Sequence, residues 1–203
     1  MGRAMPVNRC GHLFGGNLDR MAQGKREPGA TIWLTGLPAA GKSTIASAVA
    51  ARLAEAGREV EVLDGDEFRL TLSAGLGFSR DDRDVHVQRV GYVAEMLARH
   101  GVLVIVPVIA PYRKAREIVR RRHKRRGTNY LEIHVSTPVV ECARRDPKGL
   151  YAKAFAGVVT GLTGVDDPYE QPLEPDLRLN TSQVDVDTAG ASVMRLLASR
   201  NLV

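Results

Sequence analysis

The sequence predicts an α/β fold: a five-stranded, mostly parallel sheet flanked by helices, with a flexible lid. Three observations predict it. Strand-like and helix-like segments alternate five times along the chain, the signature of a parallel sheet with helical crossovers. One segment, VLVIVPVI at 102–109, is an unbroken apolar run, as expected of a strand covered on both faces. A glycine-rich turn, GLPAAGKS at 36–43, stands between a strand and a helix. In order, TIWL (31–34) reads as a short buried strand. An Ala- and Leu-rich helix runs to about Ala56 and is closed by Gly57. EVEVL (59–63) alternates as a second strand, and helical periodicity returns at 67–73. Ser79 with Asp82 forms a capping box that opens a helix to about His100. The central strand at 102–109 and the basic helix at 113–126 follow. YLEIHV (130–135) is the fourth strand, with Thr137 and Pro138 fitting the N-cap and first turn of a helix. LRLN (177–180) is the fifth strand, and 186–199 the closing helix. Residues 146–175 are rich in Gly, Pro and Asp with little periodicity, and a stretch of that length is expected to be an active-site lid.

Composition bounds the possibilities. With 203 residues, 44% hydrophobic and 26% charged, the chain suits one compact domain over 30–203 preceded by an aperiodic extension at 1–29. Within that extension a short helix near Asp19–Gln23 is possible, and Cys10 with His12 is too sparse a pair to define a metal site. No apolar stretch suits a transmembrane span or a secretory leader, and the expectation is no membrane association. Two cysteines suit a thiol-reducing cytoplasm. The net charge of +6 is local: residues 113–126 hold nine Lys and Arg and one Glu, and the rest of the chain is slightly acidic. Two readings stay open for that run, a polyanion contact or one solvated helix face. It has no aromatic residue for base stacking, so nucleic acid is not the expected partner.

Gly36, Leu37, Pro38, Ala39, Ala40, Gly41, Lys42 and Ser43 match G-x-x-x-x-G-K-[ST], in the strand–turn–helix context that makes such a match meaningful. Such a loop turns its backbone N–H groups onto phosphate oxygens, and the following helix adds the positive end of its dipole. Lys42 is expected to reach the β- and γ-phosphates of ATP, with Ser43 on Mg²⁺ and Thr44 in the same helical turn. No base-reading N-K-x-D segment of a translation-type GTPase is present. A small chain with a late lid points to a small-molecule kinase.

The remaining motifs are Leu63-Asp64-Gly65-Asp66-Glu67-Phe68-Arg69, Leu76-Gly77-Phe78-Ser79, Asp82-Arg83, Ala110-Pro111-Tyr112-Arg113, Arg145-Asp146-Pro147-Lys148-Gly149-Leu150-Tyr151 and Leu162-Thr163-Gly164-Val165-Asp166-Asp167-Pro168-Tyr169-Glu170. In this order and spacing the chain, over about residues 30–200, resembles the adenylylsulfate (APS) kinases. These are phosphate-loop kinases that transfer the γ-phosphate of ATP to the 3′-hydroxyl of adenosine 5′-phosphosulfate, giving PAPS. The resemblance implies Mg²⁺, ATP and APS as cofactor and substrates, and a homodimer. It implies Lys42, Asp66 and Lys153 as catalytic residues. Asp66 would lie near the acceptor hydroxyl and the Mg²⁺ water shell, and Lys153 would supply charge to the transferring group. Arg145 would pack on the ATP adenine. Arg69 and Arg83 would clamp the phosphosulfate, and Phe78 would stack on the APS adenine. His86, Ile109, Lys148 and Leu162 would complete the acceptor side. The residues themselves leave plainer roles open: a helix N-cap for Asp66, surface salt bridges for Arg69 and Arg83, a core anchor for Phe78, an exposed helix position for His86 and a solvated lid lysine for Lys148 or Lys153.

The chain departs from the family pattern at four places. Ala110 replaces the usual serine, so no phosphoserine can form there and direct in-line transfer is the expected route. His86 replaces an asparagine, Leu162 a phenylalanine that would pair with Phe78 over the adenine, and Ala39 a loop glycine. Three of these changes fall on the acceptor side. They keep two rivals open: a diverged kinase of the same fold acting on another hydroxyl-bearing molecule, and a non-catalytic nucleotide- or RNA-binding protein.

Overall fold

A computed structural model describes residues 27–203; Cys10, His12 and the segment Asp19–Gln23 lie outside the described residues. Five strands form one parallel sheet: β1 (Ala30–Gly36), β2 (Val60–Val62), β3 (Leu103–Pro107), β4 (Asn129–Val135) and β5 (Leu177–Leu179), in the order β2-β3-β1-β4-β5. β1 is central, pairing with β3 on one side and β4 on the other. The helices are α1 (Lys42–Glu55), α2 (Gly65–Leu70), α3 (Arg80–Ala98), α4 (Arg113–Arg126), α5 (Val139–Arg145), α6 (Leu150–Phe155) and α7 (Val186–Ser199).

Alternation along β1 divides the core. Ile32 and Leu34 join Leu53, Ile105, Ile133, Val193 and Leu197 on the face covered by α1 and α7. Trp33 points the other way, into a second cluster with Val87, Val90, Val104, Val106 and Val119 beneath α3 and α4. The ends of β1, β2 and β3 therefore open at one edge of the sheet. That is where parallel α/β sheets place ligands, because the following helices start there.

Three local expectations need correction. The helical segment expected at 67–73 spans Gly65–Leu70 instead: it starts earlier because the Asp64 carboxylate caps it by accepting the Asp66 N–H at 2.7 Å, and it ends before Thr71. Thr137 is not an N-cap: its hydroxyl is turned to the Ala40 carbonyl and to Thr181, and α5 begins beyond Pro138 without a side-chain cap. The segment 146–175 is not structureless, since it contains α6. The Asp146 carboxylate accepts the N–H groups of Tyr151 and Ala152, at 3.1 and 3.0 Å, and so satisfies the first turn of that helix.

The basic helix α4 is more than a solvated face. Arg116 is buried at 3% exposure and pairs with Glu132 of β4, which Arg120 also contacts, each at 2.9 Å. Arg122 approaches the buried Glu95 of α3 at 3.4 Å. Part of the charge cluster thus joins α4 to the sheet and to α3. Among the described residues, no helix is long and apolar enough to cross a membrane.

Candidate functional site

The turn at 36–43 has the geometry of a phosphate cradle. Gly36 passes so close to β4 that a Cβ there would stand 2.4 Å from the Val135 carbonyl oxygen. Gly41, at φ 99°, forms the left-handed junction into α1. Ala39 also takes a left-handed conformation, at φ 58°, which costs an L-residue about 1 kcal/mol where the family has glycine. Lys42 is buried and donates to the carbonyls of Gly36 and Leu37, at 3.0 and 2.7 Å. Burial lowers its pKa to about 8, and Cys142, then Asp66, oppose that shift. Ser43 and Thr44 are exposed in the first turn of α1.

Several segments hold this loop from outside. Tyr151 of α6 donates its hydroxyl to the Pro38 carbonyl at 3.1 Å. The hydroxyls of Thr137 and Thr181 each lie 3.0 Å from the Ala40 carbonyl oxygen. Gly164 leaves no room for a side chain, since a Cβ there would meet Leu37 at 2.6 Å. Arg145 is fixed beside the loop, donating to Thr181 through Nη1 and Nη2 and to Glu141 through Nε.

The second half of the site is built on α2, the loop after it and α3. Because Asp64 supplies the cap, the Asp66 carboxylate is free of that duty and forms an ion pair with Lys148. Arg69 donates to the Gly77 carbonyl at 2.9 Å, and its guanidinium lies 4.4 Å from the centre of the Phe78 ring. Arg83 lies 5.6 Å from the same ring. Phe78 is 67% exposed, which removes the core-anchor alternative. Arg83 is only 7% exposed. It donates to the Phe78 carbonyl, the Thr163 hydroxyl and the Gly161 carbonyl, at 2.8, 3.0 and 2.6 Å. Among the described residues neither Arg69 nor Arg83 has a carboxylate within 4.0 Å, so neither forms a surface salt bridge. Burial first, and Arg83 second, lower the pKa of Arg69. The two guanidinium groups thus flank an exposed aromatic ring.

His86 is buried rather than exposed on its helix, and burial lowers its pKa to about 4. The Ile109 carbonyl accepts the Thr35 hydroxyl at 2.6 Å, at the end of β3. Leu162 is 8% exposed and packs into the core cluster on the α1 side. Lys153 stands exposed on α6. Ala110, at φ 44°, is buried, and its carbonyl accepts from Arg116.

Sequence reasoning missed the residues that hold the segment 161–170 in place. The Asp166 carboxylate accepts the N–H groups of Gly161 and Leu162. Asp167 accepts the hydroxyls of Tyr112 and Thr163, the latter being the group that Arg83 reaches. The Glu170 carboxylate accepts the Arg113 N–H at the start of α4. The paired carboxylates of T-G-V-D-D, directly after a glycine turn, are the signal that marks them.

Fold and site together define a phosphate-loop phosphotransferase of the α/β class. The family model for adenylylsulphate kinase matches residues 28–180. An adenylyl-sulfate kinase of Picosynechococcus sp. is 47% identical over 169 residues, 83% of this chain and 93% of the relative. One of Myxococcus xanthus is 49% identical over 172 residues, 85% and 91% of the two chains. The structure of the Mycobacterium tuberculosis APS kinase CysC in complex with AMPPNP and APS superposes with a TM-score of 0.82. It is 45% identical, and the match covers 85% of this chain and 99% of that one. This chain belongs to the adenylylsulphate kinase family.

Proposed function

We propose that this protein transfers the γ-phosphoryl group of ATP to the 3′-hydroxyl of adenosine 5′-phosphosulfate. The observation that carries the reading is the placement of a phosphate cradle beside two arginines that flank an exposed Phe78 and, among the described residues, have no carboxylate within 4.0 Å. Phosphoryl transfer needs alignment and charge neutralisation more than covalent work by the protein. The loop N–H groups and Lys42 hold the donor phosphates, and Arg145 is stationed for the donor base. Arg69 and Arg83 take the phosphosulfate, with Phe78 against the adenine. Asp66 orients the attacking hydroxyl and accepts its proton. Its ion pair with Lys148 must loosen for that, and an exposed pair is weak enough to do so. Lys153 sits on the helix that covers the loop, where it can approach the transferring group.

Mg²⁺ belongs to this reading. The exposed Ser43 hydroxyl is an oxygen ligand of the kind Mg²⁺ takes together with substrate phosphates. Among the described residues, no cluster of three or more His, Cys, Asp or Glu side chains forms a metal cage, which suits an ion held mainly through the nucleotide. Bound there, the ion would neutralise charge on the β- and γ-phosphates. Direct transfer is favoured because Ala110 offers no atom to phosphorylate. A homodimer is part of the proposal, with Val85, Tyr92 and Ile118, exposed between α3 and α4, as its candidate face. Light scattering tests that part.

The deciding experiment is coupled ADP release with ATP, Mg²⁺ and a panel of acceptors. APS should be turned over far faster than adenosine 5′-monophosphate or other nucleotides. Faster turnover of a different acceptor would overturn the assignment of substrate.

A further inference from the structure

His86 stands where the family has asparagine, and the residue behind it determines what the imidazole can do. Ser73 is fully buried, its N–H donating to the Phe68 carbonyl at 2.7 Å. Its hydroxyl lies 3.0 Å from Nδ1 of His86 and has no other partner among the described residues. Two arrangements are possible. If Nδ1–H donated to Ser73, the serine hydrogen would be buried with nothing to accept it, which is costly. If Ser73 donates to Nδ1, both groups are satisfied and the ring proton lies on Nε2. Nε2 faces the Asp64-Gly65-Asp66 turn, 3.6 Å from where a Cβ on Gly65 would stand. It makes no hydrogen bond among the described residues and is not sealed from solvent.

We infer that Ser73 is a positioning residue for the acceptor: its hydroxyl holds His86 in the tautomer that presents Nε2–H as a donor at the Asp64–Asp66 turn. The inference rests on the acceptor reading of these residues. An asparagine amide offers both a donor and an acceptor, whereas this imidazole offers a donor alone. The nucleotide must therefore bring an oxygen or ring-nitrogen lone pair to that point. Burial keeps the ring neutral through the physiological range, so the tautomer persists there.

Two measurements test this. Long-range ¹⁵N–¹H correlation spectra of the ligand-free protein should show His86 protonated on Nε2 and bare on Nδ1. A ring protonated on Nδ1 overturns the inference. In kinetics, Ser73→Ala should raise KM for APS by roughly three- to tenfold, the worth of one neutral hydrogen bond. Changes in kcat and in KM for ATP should stay within about twofold. In a His86→Ala background the same substitution should have no further effect on KM. Equal losses in both backgrounds, with kcat and both KM values moving together, would make Ser73 a packing residue and sink the proposal. The spectra need no acceptor, so they decide the tautomer even where the wild-type protein leaves APS untouched. That last outcome would remove the acceptor reading instead.

Discussion

Lys42 holds a proton inside a desolvated loop, and its pKa near 8 follows from that burial. A bound triphosphate supplies the missing negative charge and drives the pKa back up. ATP binding should therefore take up close to one proton per site at about pH 9 and almost none near pH 6.5. Calorimetry in buffers of different ionisation enthalpy measures this, and uptake that is flat with pH would contradict the placement of Lys42. Lys42→Ala should lower turnover by about 10²–10³ while the protein stays folded, its stability changed only by loss of the two loop hydrogen bonds, about 1 kcal/mol each. Arg83→Ala should raise KM for APS by about tenfold or more against a small change for ATP. The guanidinium also ties Gly161 and Thr163 of the lid, so kcat should fall as well. An equal rise in both KM values would leave Arg83 as a lid staple only. The phosphate-loop, D-G-D and D-R motifs were legible in the sequence because they fix both residue type and spacing. The second bond each residue makes was not. Lys148 on Asp66, and Arg83 on Thr163, join positions about eighty residues apart that no local pattern relates.

At the scale of elements, α7 was readable to the residue: Asp185 caps it and its apolar face keeps helical period. α6 was missed because six residues are too few to show a period, and its cap comes from Asp146, four residues ahead of its start. Thr137 was misplaced because a threonine before a proline suits an N-cap, while its hydroxyl is claimed by Ala40, 97 positions away. Contact between distant elements decides such cases, as it does for α4. There Arg116 binds Glu132 of β4 and the carbonyls of Ala110 and Glu170, so one buried cation joins helix, sheet, the loop after β3 and the end of the lid. Glu132→Ala would leave that cation buried without its carboxylate. The expected cost is about 3–5 kcal/mol, read as a lower urea midpoint, well beyond the roughly 0–1 kcal/mol of an exposed pair. A loss below about 1 kcal/mol would show that Arg116 gains its stability from the two carbonyls alone.

For the whole molecule, the parallel α/β class was legible from the alternation of elements, but the strand order was not, because any strand of the right pattern could neighbour β1. Nor was the fate of the histidines. Three of them, His86, His123 and His134, are buried, and burial lowers the pKa of each, to about 4 for His86 and His134. Each accepts a hydrogen bond at one ring nitrogen. Ser73 donates to His86. Thr31 donates to Nε2 of His123, whose Nδ1–H goes to the Val119 carbonyl. The Arg178 guanidinium donates to Nδ1 of His134. Protonation breaks each of these bonds, and beside Arg178 it sets cation against cation. In the unfolded chain the same rings take up protons below about pH 6.5. The unfolded state then binds more protons than the native one, so stability falls as pH drops from 6.5 towards 4. His86 and His134 each contribute about 1.4 kcal/mol per pH unit across that window, and His123 adds a loss of the same sign. By pH 5 His86 and His134 together remove about 4 kcal/mol, a large part of the roughly 5–15 kcal/mol that a domain has in total. The carboxylates with lowered pKa values, Glu141, Asp146, Asp166, Glu170 and Asp185, add their losses only below about pH 4.5, so the two effects separate. Urea unfolding at pH 7, 6 and 5 should show a steep fall above the range in which those lowered carboxylates add their losses. His134→Gln should remove that residue's own share of the slope, about 1.4 kcal/mol per pH unit, without changing its window. Stability that stays level from pH 7 to 5 would mean that the imidazoles gain protons in the native state as readily as in the unfolded one.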